Sequence, residues 1–177
     1  MSGQMKKGRQ GGFTMVELII VIVLVGILSA FAASRFFDRR GFDAAAFADQ
    51  TSALLRYAQK TAIARNAPVY VMLDDKRIAL CYDAPRVDCA PVSLVPTPGN
   101  SIGGPSSDTH CRFGGWYCIA RPEGVQLSRS VPMSAFSFDG LGRPATTGGS
   151  FDGLVLTIAS AGESRTVSVT PETGYVR

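Results

Sequence analysis

The chain has 177 residues and a mass of 18.8 kDa, and 46% of its residues are hydrophobic. This is enough for one core of ordinary size and argues against a second full domain. The formal net charge is +4, but three of the basic residues, Lys6, Lys7 and Arg9, precede Phe13. The body of the chain therefore lacks the strongly basic character typical of a nucleic-acid-binding domain.

An uncharged apolar run extends from Leu18 to Ala33, and Ser29 is its one hydroxyl residue. Counted from Phe13 it has 21 residues. At about 1.5 Å per residue this length crosses a hydrocarbon core of about 30 Å. The run predicts a single membrane-spanning helix. Basic residues flank both ends, so the N-terminus is assigned to the cytoplasm because the short basic leader is like the first part of an export signal.

Glu17 interrupts this apolar segment near its start. A carboxylate in a bilayer costs about 2.5–3.5 kcal/mol on insertion scales, so such a residue usually has a function and a partner. One alternative is a glutamate at the helix end, reaching out of the lipid beside Lys6 or Lys7. A cleaved secretory signal, cut at the small residues between 30 and 33, is a second alternative, but it gives Glu17 no role.

Gly12, followed by Phe13-Thr14-Met15-Val16-Glu17-Leu18, resembles the class III signal of type IV prepilins and pseudopilins. The resemblance covers about 25 residues of the chain. It implies that a prepilin peptidase cuts between Gly12 and Phe13 on the cytoplasmic face. The new N-terminal Phe13 is then methylated, and the apolar segment is retained.

The same resemblance implies a role for Glu17 in assembly. Cleavage creates an ammonium group on Phe13, and assembly brings such a group from a neighbouring subunit close to Glu17. Opposite charges attract strongly in a medium of low dielectric constant, whereas either charge alone is costly there. Small residues such as Gly26 and Ser29 allow helices to approach closely. Ser34 stands where many pilins have a proline.

A second helical stretch is predicted from Asp43 to Arg65, ended by Asn66 and Pro68. With the apolar run it forms one helix from 13 to 65, roughly 80 Å long, half in lipid and half packed on a sheet. Polar residues Asp49, Arg56, Gln59 and Lys60 occupy the face opposite the core. The predicted core face consists of Phe47, Thr51, Leu54, Leu55, Ala58, Ala62 and Ile63.

After Pro68 the sequence changes to short β-rich runs separated by turn residues, such as Asp74-Asp75-Lys76. The predicted class is α+β: a long N-terminal helix on an antiparallel β-sheet domain. The predicted organisation is a leader at 1–12, an assembly helix at 13–40 and a globular domain at 41–177. Strands are predicted at 69–73, 77–82, 116–120, 125–131, 135–138, 154–159 and 166–170.

The segment between 83 and 112 is rich in proline and glycine, and a loop this long is usually functional or mobile. Four cysteines, Cys81, Cys89, Cys111 and Cys118, predict two disulfides in an oxidising compartment. Three pairings are possible, and the short spacings favour Cys81–Cys89 with Cys111–Cys118. His110 beside Cys111 is a weaker candidate for a metal site because no CxxC pair is present, so no metal is predicted.

No catalytic arrangement is evident in the sequence. A single histidine leaves no economical Ser-His-Asp or Cys-His set, since oxidised cysteines are not nucleophiles. The turn around Asp139, Gly140 and Gly142 lacks the spacing of a phosphate-binding loop. The chain is predicted not to be an enzyme and to need no cofactor.

The segment 138–144, FDGLGRP, and the ending Gly174-Tyr175-Val176-Arg177 resemble the C-terminal part of the GspH/FimT pseudopilin domain. Among those relatives the layout is most similar to minor prepilins of the mannose-sensitive haemagglutinin (MSHA) pilus, the MshC type. The resemblance implies a minor subunit of a type IV pilus, taking part in or priming filament assembly. A GspH-like pseudopilin of a type II secretion system is the alternative.

A second alternative is a FimT-like minor pilin that binds DNA, with Arg143, Arg165 and Arg177 gripping phosphates. The resemblance also implies partners and a location. The partners are other pilin subunits, the prepilin peptidase, the inner-membrane assembly platform and the lipid bilayer, with nucleic acid only under the DNA alternative. The location is the bacterial inner membrane, single-pass with a periplasmic C-terminal domain, and then the pilus or pseudopilus.

Overall fold

The computed structural model describes residues 13–36, 39–100, 109–111, 113–146 and 148–177. The predicted leader, including Gly12, lies outside the described residues. The chain divides into two compact units, Met1–Asp38 and Arg39–Arg177. Each unit is described by itself.

The described residues form two helices and eight strands, with two short 3₁₀ turns in the segment between β2 and β3. The long helix predicted over 13–65 is present as two helices, and residues 37–38 between them lie outside the described residues. The elements are α1 (Met15–Phe36), α2 (Arg39–Arg65), β1 (Val69–Leu73), β2 (Arg77–Cys81), β3 (Cys118–Ala120), β4 (Gln126–Arg129), β5 (Ala135–Phe138), β6 (Pro144–Ala145), β7 (Leu154–Ser160) and β8 (Glu163–Val169).

Helix α1 makes up the described part of the first unit. Every large apolar side chain between Met15 and Leu28 is more than half exposed. Within the described ranges, no helix has both the length and the apolar character needed to cross a membrane.

Helix α2 ends in a left-handed cap rather than at a glycine. Asn66 has a φ of 48°, and its N–H donates to the Ile63 carbonyl at 3.1 Å. The N–H of Ala67 donates to the Ala62 carbonyl at 3.2 Å, which completes a Schellman motif. The helix therefore ends at the predicted residue, Arg65, although it begins four residues before the predicted start.

The strands form two antiparallel sheets, which confirms the predicted α+β class. The first has the order β3-β2-β1-β5-β6 and the second the order β4-β7-β8, and α2 packs against both. Seven strands lie where the sequence predicts them, with ends that differ by a few residues. The short strand β6 was not predicted, because it has only two residues and one of them is Pro144.

The central strands of the five-stranded sheet are buried on both faces. Val71 and Leu73 on β1 face the main core, which also contains buried residues of α2. Met72 of β1 faces a second, smaller core with Trp116 and Cys81. The segment between β2 and β3, residues 82–117, therefore covers the outer face of the sheet and is called the covering segment below. Its described residues form a third layer of the domain.

The predicted core face of α2 is correct with one exception. Ile63 is 50% exposed, whereas the other six predicted residues are buried. Gln59, assigned to the solvent face, instead donates from Nε2 to the carbonyl oxygens of Gly142 and Thr173. Helical periodicity places both residues near the edge of the buried stripe. The turns that contain Gly142 and Thr173 pack there and decide which of the two side chains is covered.

Thr51 supplies a stability prediction. Its side chain is fully buried, and its hydroxyl has no hydrogen-bond partner in the part of the chain that the structure describes. Thr51→Val keeps the shape and removes the unpaired hydroxyl, so we expect the free energy of unfolding to rise by about 1 kcal/mol. Urea unfolding measures the change. The matched variant Thr51→Ser keeps the hydroxyl, loses a methyl group, and should be less stable than wild type; a Val variant no more stable than wild type contradicts the prediction.

Candidate functional site

The first turn of α1 is capped by Thr14. Its carbonyl accepts the first helical hydrogen bond, from Leu18 N–H at 3.2 Å, and its Oγ1 accepts from Glu17 N–H at 3.2 Å. Thr14 is therefore the N-cap residue and Glu17 is the third residue of the helix. Helix α1 thus begins at Met15, two residues after Phe13, the predicted first residue of the processed chain.

The spacing Thr14-x-x-Glu17 is the sequence pattern of a capping box. The sequence thus carries a local signal for Glu17 besides the predicted subunit contact and the alternative placement beside Lys6 or Lys7. A carboxylate in the first helical turn also interacts favourably with the positive end of the helix dipole. Glu17 therefore has a local reason to be charged at this position.

The surface of α1 between Leu18 and Leu28 is uniformly apolar. The hydroxyl of Ser29, which follows it, donates to the carbonyl oxygens of Val25 at 2.8 Å and Gly26 at 3.0 Å, so it is satisfied within the helix. A Cβ added to Gly26 would meet no atom within 4 Å. The chain by itself therefore imposes no packing need for glycine there, and a neighbouring helix can approach closely.

The four cysteines form two disulfides, Cys81–Cys89 and Cys111–Cys118, with Cα–Cα distances of 5.7 and 5.6 Å. This is the pairing that the short spacings favour. The first bond lies within the smaller core, where Cys81 and Cys89 are both buried. Both bonds join the covering segment to a strand of the five-stranded sheet, since Cys81 ends β2 and Cys118 begins β3.

Arg77 connects the parts of this covering segment. Its side chain is 13% exposed and forms salt bridges to Asp74 and Asp88, both at 3.0 Å. The guanidinium also donates to the His110 carbonyl and lies 5.3 Å from the Trp116 ring centroid. No local sequence pattern marks Arg77 for this role, because three of its four partners, Asp88, His110 and Trp116, are distant in the chain.

The covering segment is also tied to the sheet by main-chain hydrogen bonds. Tyr82 N–H donates to the Ser93 carbonyl at 2.7 Å, and the indole Nε1 of Trp116 donates to the Leu80 carbonyl at 2.7 Å. Residues 101–108 and 112 of the predicted 83–112 loop lie outside the described residues. Within the described ranges, no group of three His, Cys, Asp or Glu side chains is arranged to hold a metal ion.

The three arginines of the DNA alternative lie in different parts of the domain: a turn, strand β8 and the C-terminal segment. Arg143 is in the turn between β5 and β6, where its Nε is 3.2 Å from Asp139. Arg177 donates to the Ser168 hydroxyl at 3.2 Å, on the outer face of β8. Arg165 is three residues from Ser168, so the alternation of a strand places it on the opposite face.

Asp139 organises the turn that carries Arg143. Its Oδ1 accepts from the backbone N–H groups of Leu141 and Arg143 at 2.9 and 2.8 Å. Desolvation tends to raise the pKa of Asp139, but these two backbone hydrogen bonds and the Arg143 guanidinium outweigh it and lower the pKa below its usual value. The carboxylate therefore stabilises the turn only while it is ionised.

The direction of this pKa shift predicts how the free energy of unfolding depends on pH. A carboxyl whose pKa is lower in the folded chain adds stability above the unfolded pKa of about 4, and this is lost as the pH falls through the folded pKa. We expect wild type to be more stable than Asp139→Asn near neutral pH, with the difference shrinking below about pH 4. Urea unfolding across that range measures it. Asp152→Asn, at an exposed acid, is the control, and a constant difference for Asp139→Asn contradicts the prediction.

The glycines of the 138–144 segment and of the C-terminus have a packing role. Gln59 of α2 donates to the Gly142 carbonyl at 2.8 Å and to the Thr173 carbonyl at 2.9 Å. A Cβ at Gly174, whose φ is 65°, would lie 2.6 Å from the Gly142 oxygen. Gln59 thus holds two turns against α2, one after β5 and one after β8. Larger residues at Gly142 and Gly174 do not fit in this contact.

One protein family and one curated protein match parts of this chain. Residues 7–33 match the family described as the prokaryotic N-terminal methylation motif. The type IV narrow pilus major component PilA5 of Thermus thermophilus is 45% identical over 62 residues, which are 34% of this chain and 53% of that protein. The chain thus spans about half the length of this curated relative.

The solved structures extend the likeness to the fold. The type IV minor pilin FimU of Pseudomonas aeruginosa superposes with a TM-score of 0.50 at 12% identity, over 75% of this chain and 89% of FimU. The minor pseudopilin EpsH from the type 2 secretion system of Vibrio cholerae gives a TM-score of 0.52 at 15% identity, over 76% and 94% of the chains. The chain has a pilin-like fold and carries the N-terminal methylation motif of type IV pilins.

Proposed function

We propose that this pilin-like chain is a minor subunit of a type IV pilus, of the MSHA type, which enters or primes the filament through α1. The observation that carries the proposal is the exposed apolar surface of α1, which begins at a capped turn containing Glu17. The globular unit supplies no other surface of comparable apolar extent among the described residues.

The exposure of α1 has a physical consequence. Its large apolar side chains, from Met15 to Leu28, are each more than half exposed in the isolated chain. Soluble monomers rarely expose contiguous apolar patches larger than a few hundred Å², so such a surface is expected to be covered by lipid or by other helices. A precursor held in the inner membrane and then transferred into a bundle of like helices has both kinds of cover in turn.

Glu17 sets the axial alignment of the chain with its neighbour during this transfer. We assign its partner to the ammonium group of Phe13 on a neighbouring subunit, formed when the leader is removed. Two opposite charges in an apolar bundle attract strongly, and each is costly if unpaired. A contact between the start of one chain and the first turn of the next does not close on itself, so repetition extends a fibre.

Processing of the precursor tests the proposal directly. We expect the mature protein from its native membrane to lack residues 1–12 and to carry one methyl group on Phe13. Mass spectrometry of the N-terminal peptide measures both changes. The control is the Gly12→Val precursor expressed in the same host, which should keep its leader. An intact leader on the wild-type protein, in a host with an active prepilin peptidase, contradicts the proposal.

The proposed partners and location follow from the same helix. They are other pilin subunits, the prepilin peptidase, the assembly platform and the bilayer, with one membrane pass through 13–40 and the 41–177 domain in the periplasm. Carbonate extraction and protease accessibility of the full chain test this location. The similar proteins are named as pilus components or pseudopilins, and we assign this chain a structural rather than a catalytic role.

Different tests separate the two alternatives, a type II secretion pseudopilin and a DNA-binding minor pilin. The fold likeness to EpsH is as strong as that to FimU, so a type II secretion pseudopilin is separated by gene neighbourhood rather than by fold. For the DNA alternative, the placement of Arg165 and Arg177 on opposite faces of β8 argues against one phosphate-binding patch. A gel shift with the double variant Arg143→Ala/Arg165→Ala, repeated at increasing salt, tests it.

A further inference from the structure

Strand β8 lies at one end of the three-stranded sheet, and the described residues pair with its outer edge only near its C-terminal end. There the last residues of the chain run alongside it. Ser168 N–H donates to the Arg177 carbonyl at 2.8 Å, and Arg177 N–H donates to the Ser168 carbonyl at 3.1 Å. Thr170 N–H donates to the Tyr175 carbonyl at 3.0 Å.

These bonds identify the backbone groups that point away from β7. In an antiparallel ladder, alternate residues direct both their N–H and C=O groups to the same neighbour. Ser168 directs them outward, so Ser164 and Thr166 do the same. Both residues are exposed, and no described residue bonds to their outward main-chain groups. The edge therefore holds unpaired donors and acceptors at two successive outward positions.

The side chains along this edge alternate in charge. Glu163 and Arg165 lie on the same face of β8 as Val167, and both are exposed. Neither forms a salt bridge with another residue in the described part of the chain. The edge thus carries one unpaired acid and one unpaired base, two residues apart.

We propose that this edge pairs with the same edge of a second copy of the chain, antiparallel, with Ser164 opposite the partner's Ser164. In this register Glu163 lies across from the partner's Arg165, and Arg165 lies across from the partner's Glu163. The two Ser164 residues exchange N–H···O bonds, as a hydrogen-bonded pair does. The contact is isologous, since the same residues serve on both copies.

The pattern of charges selects this register. Shifting to the next hydrogen-bonding register places Arg165 opposite the partner's Arg165, and like charges directly opposite are destabilising. The free part of the edge lies between the turn at Gly162 and Ser168, which the Arg177 segment covers, so Ser164 is available for the contact. Edges are usually protected against pairing by charged residues, proline or a bulge. Strand β8 has no proline and pairs with β7 without a bulge, and its two charged residues are opposite in sign, so they attract in this register.

Cysteine trapping in the full-length chain tests the proposal. In a hydrogen-bonded antiparallel pair the Cα atoms are about 5.5 Å apart, within the range of a disulfide. All four native cysteines are bonded, so Ser164→Cys introduces the one reactive thiol of the described chain. We expect a disulfide-linked dimer on mild oxidation, seen by non-reducing electrophoresis. Ser128→Cys, at an exposed position on β4, is the matched control and should give at least fivefold less dimer.

Charge variants in the Ser164→Cys background test the register. Glu163→Arg places like charges across both ends of the contact, and we expect at least a fivefold fall in dimer yield. Adding Arg165→Glu reverses both charges, restores the pairing, and should return the yield to within twofold. A failure of Ser164→Cys to link above the Ser128→Cys control, or a yield that ignores both charge changes, overturns the proposal. This inference does not rest on the proposed pilus function.

Discussion

Replacing Arg77 with alanine is expected to lower the free energy of unfolding of the globular unit by about 2–4 kcal/mol. The side chain is 13% exposed and joins Asp74 and Asp88, each at 3.0 Å. It also donates to the His110 carbonyl and stacks near Trp116. Its loss leaves these groups without their common partner beneath the covering segment. Urea unfolding of the oxidised protein measures the effect.

Two variants separate the causes of this loss. Arg77→Lys keeps the positive charge but lacks the planar fork that reaches several acceptors, so we expect it to recover only part of the stability. Arg86→Ala removes an exposed arginine from the same segment and should change the stability by less than about 0.5 kcal/mol. An Arg77→Ala protein as stable as Arg86→Ala would show that the covering segment does not depend on this cluster.

Glu17→Gln is expected to reduce incorporation of the chain into filaments at least tenfold, measured by immunoblotting of sheared filaments at equal membrane levels. A tenfold change corresponds to about 1.4 kcal/mol, less than the typical cost of leaving one charge of a buried pair unpaired. The substitution removes the charge and keeps the size of the side chain. It therefore tests the proposed attraction to the Phe13 ammonium group of a neighbouring subunit.

The local structure makes this substitution selective. Glutamine serves as well as glutamate at the third position of a capping box, so the first turn held by Thr14 should form in the variant. Ser29→Ala is the control on the same helix, because its hydroxyl bonds only within the helix. Equal incorporation of wild type, Glu17→Gln and Ser29→Ala would rule out the charge pair as the basis of recruitment.

The sequence predictions were accurate where an element is determined by residues close to it in the chain. Strands β1 and β5 were predicted to the residue, and the end of α2 at Arg65 was also correct. In each case a turn or cap lies within a few positions of the element, so the signal is local. The division into two sheets was not predicted, because the order of strands depends on pairings between distant segments.

Side-chain roles divided in the same way. Ile63 and Gln59 are four residues apart on α2, and periodicity assigned the first to the core and the second to solvent. The structure exposes half of Ile63 and engages Gln59 with two carbonyl oxygens. The turns around Gly142 and Gly174 make this difference, and they reach α2 only when the chain is folded.

By itself, the sequence determined the features whose signals lie within about twenty residues: the apolar helix with its acid at position 17, the amphipathic helix and the hairpin strands. Continuous hydrophobicity, helical period and turn residues are local properties of a chain, and they hold before any tertiary contact forms. The tertiary structure alone decided that the proline-rich segment covers a sheet face around Arg77 and that Arg165 and Arg177 lie on opposite faces of β8. It also decided that, among the described residues, the edge of β8 is unpaired at Ser164 and Thr166. Each depends on residues brought together from distant positions, and no local pattern encodes such a contact.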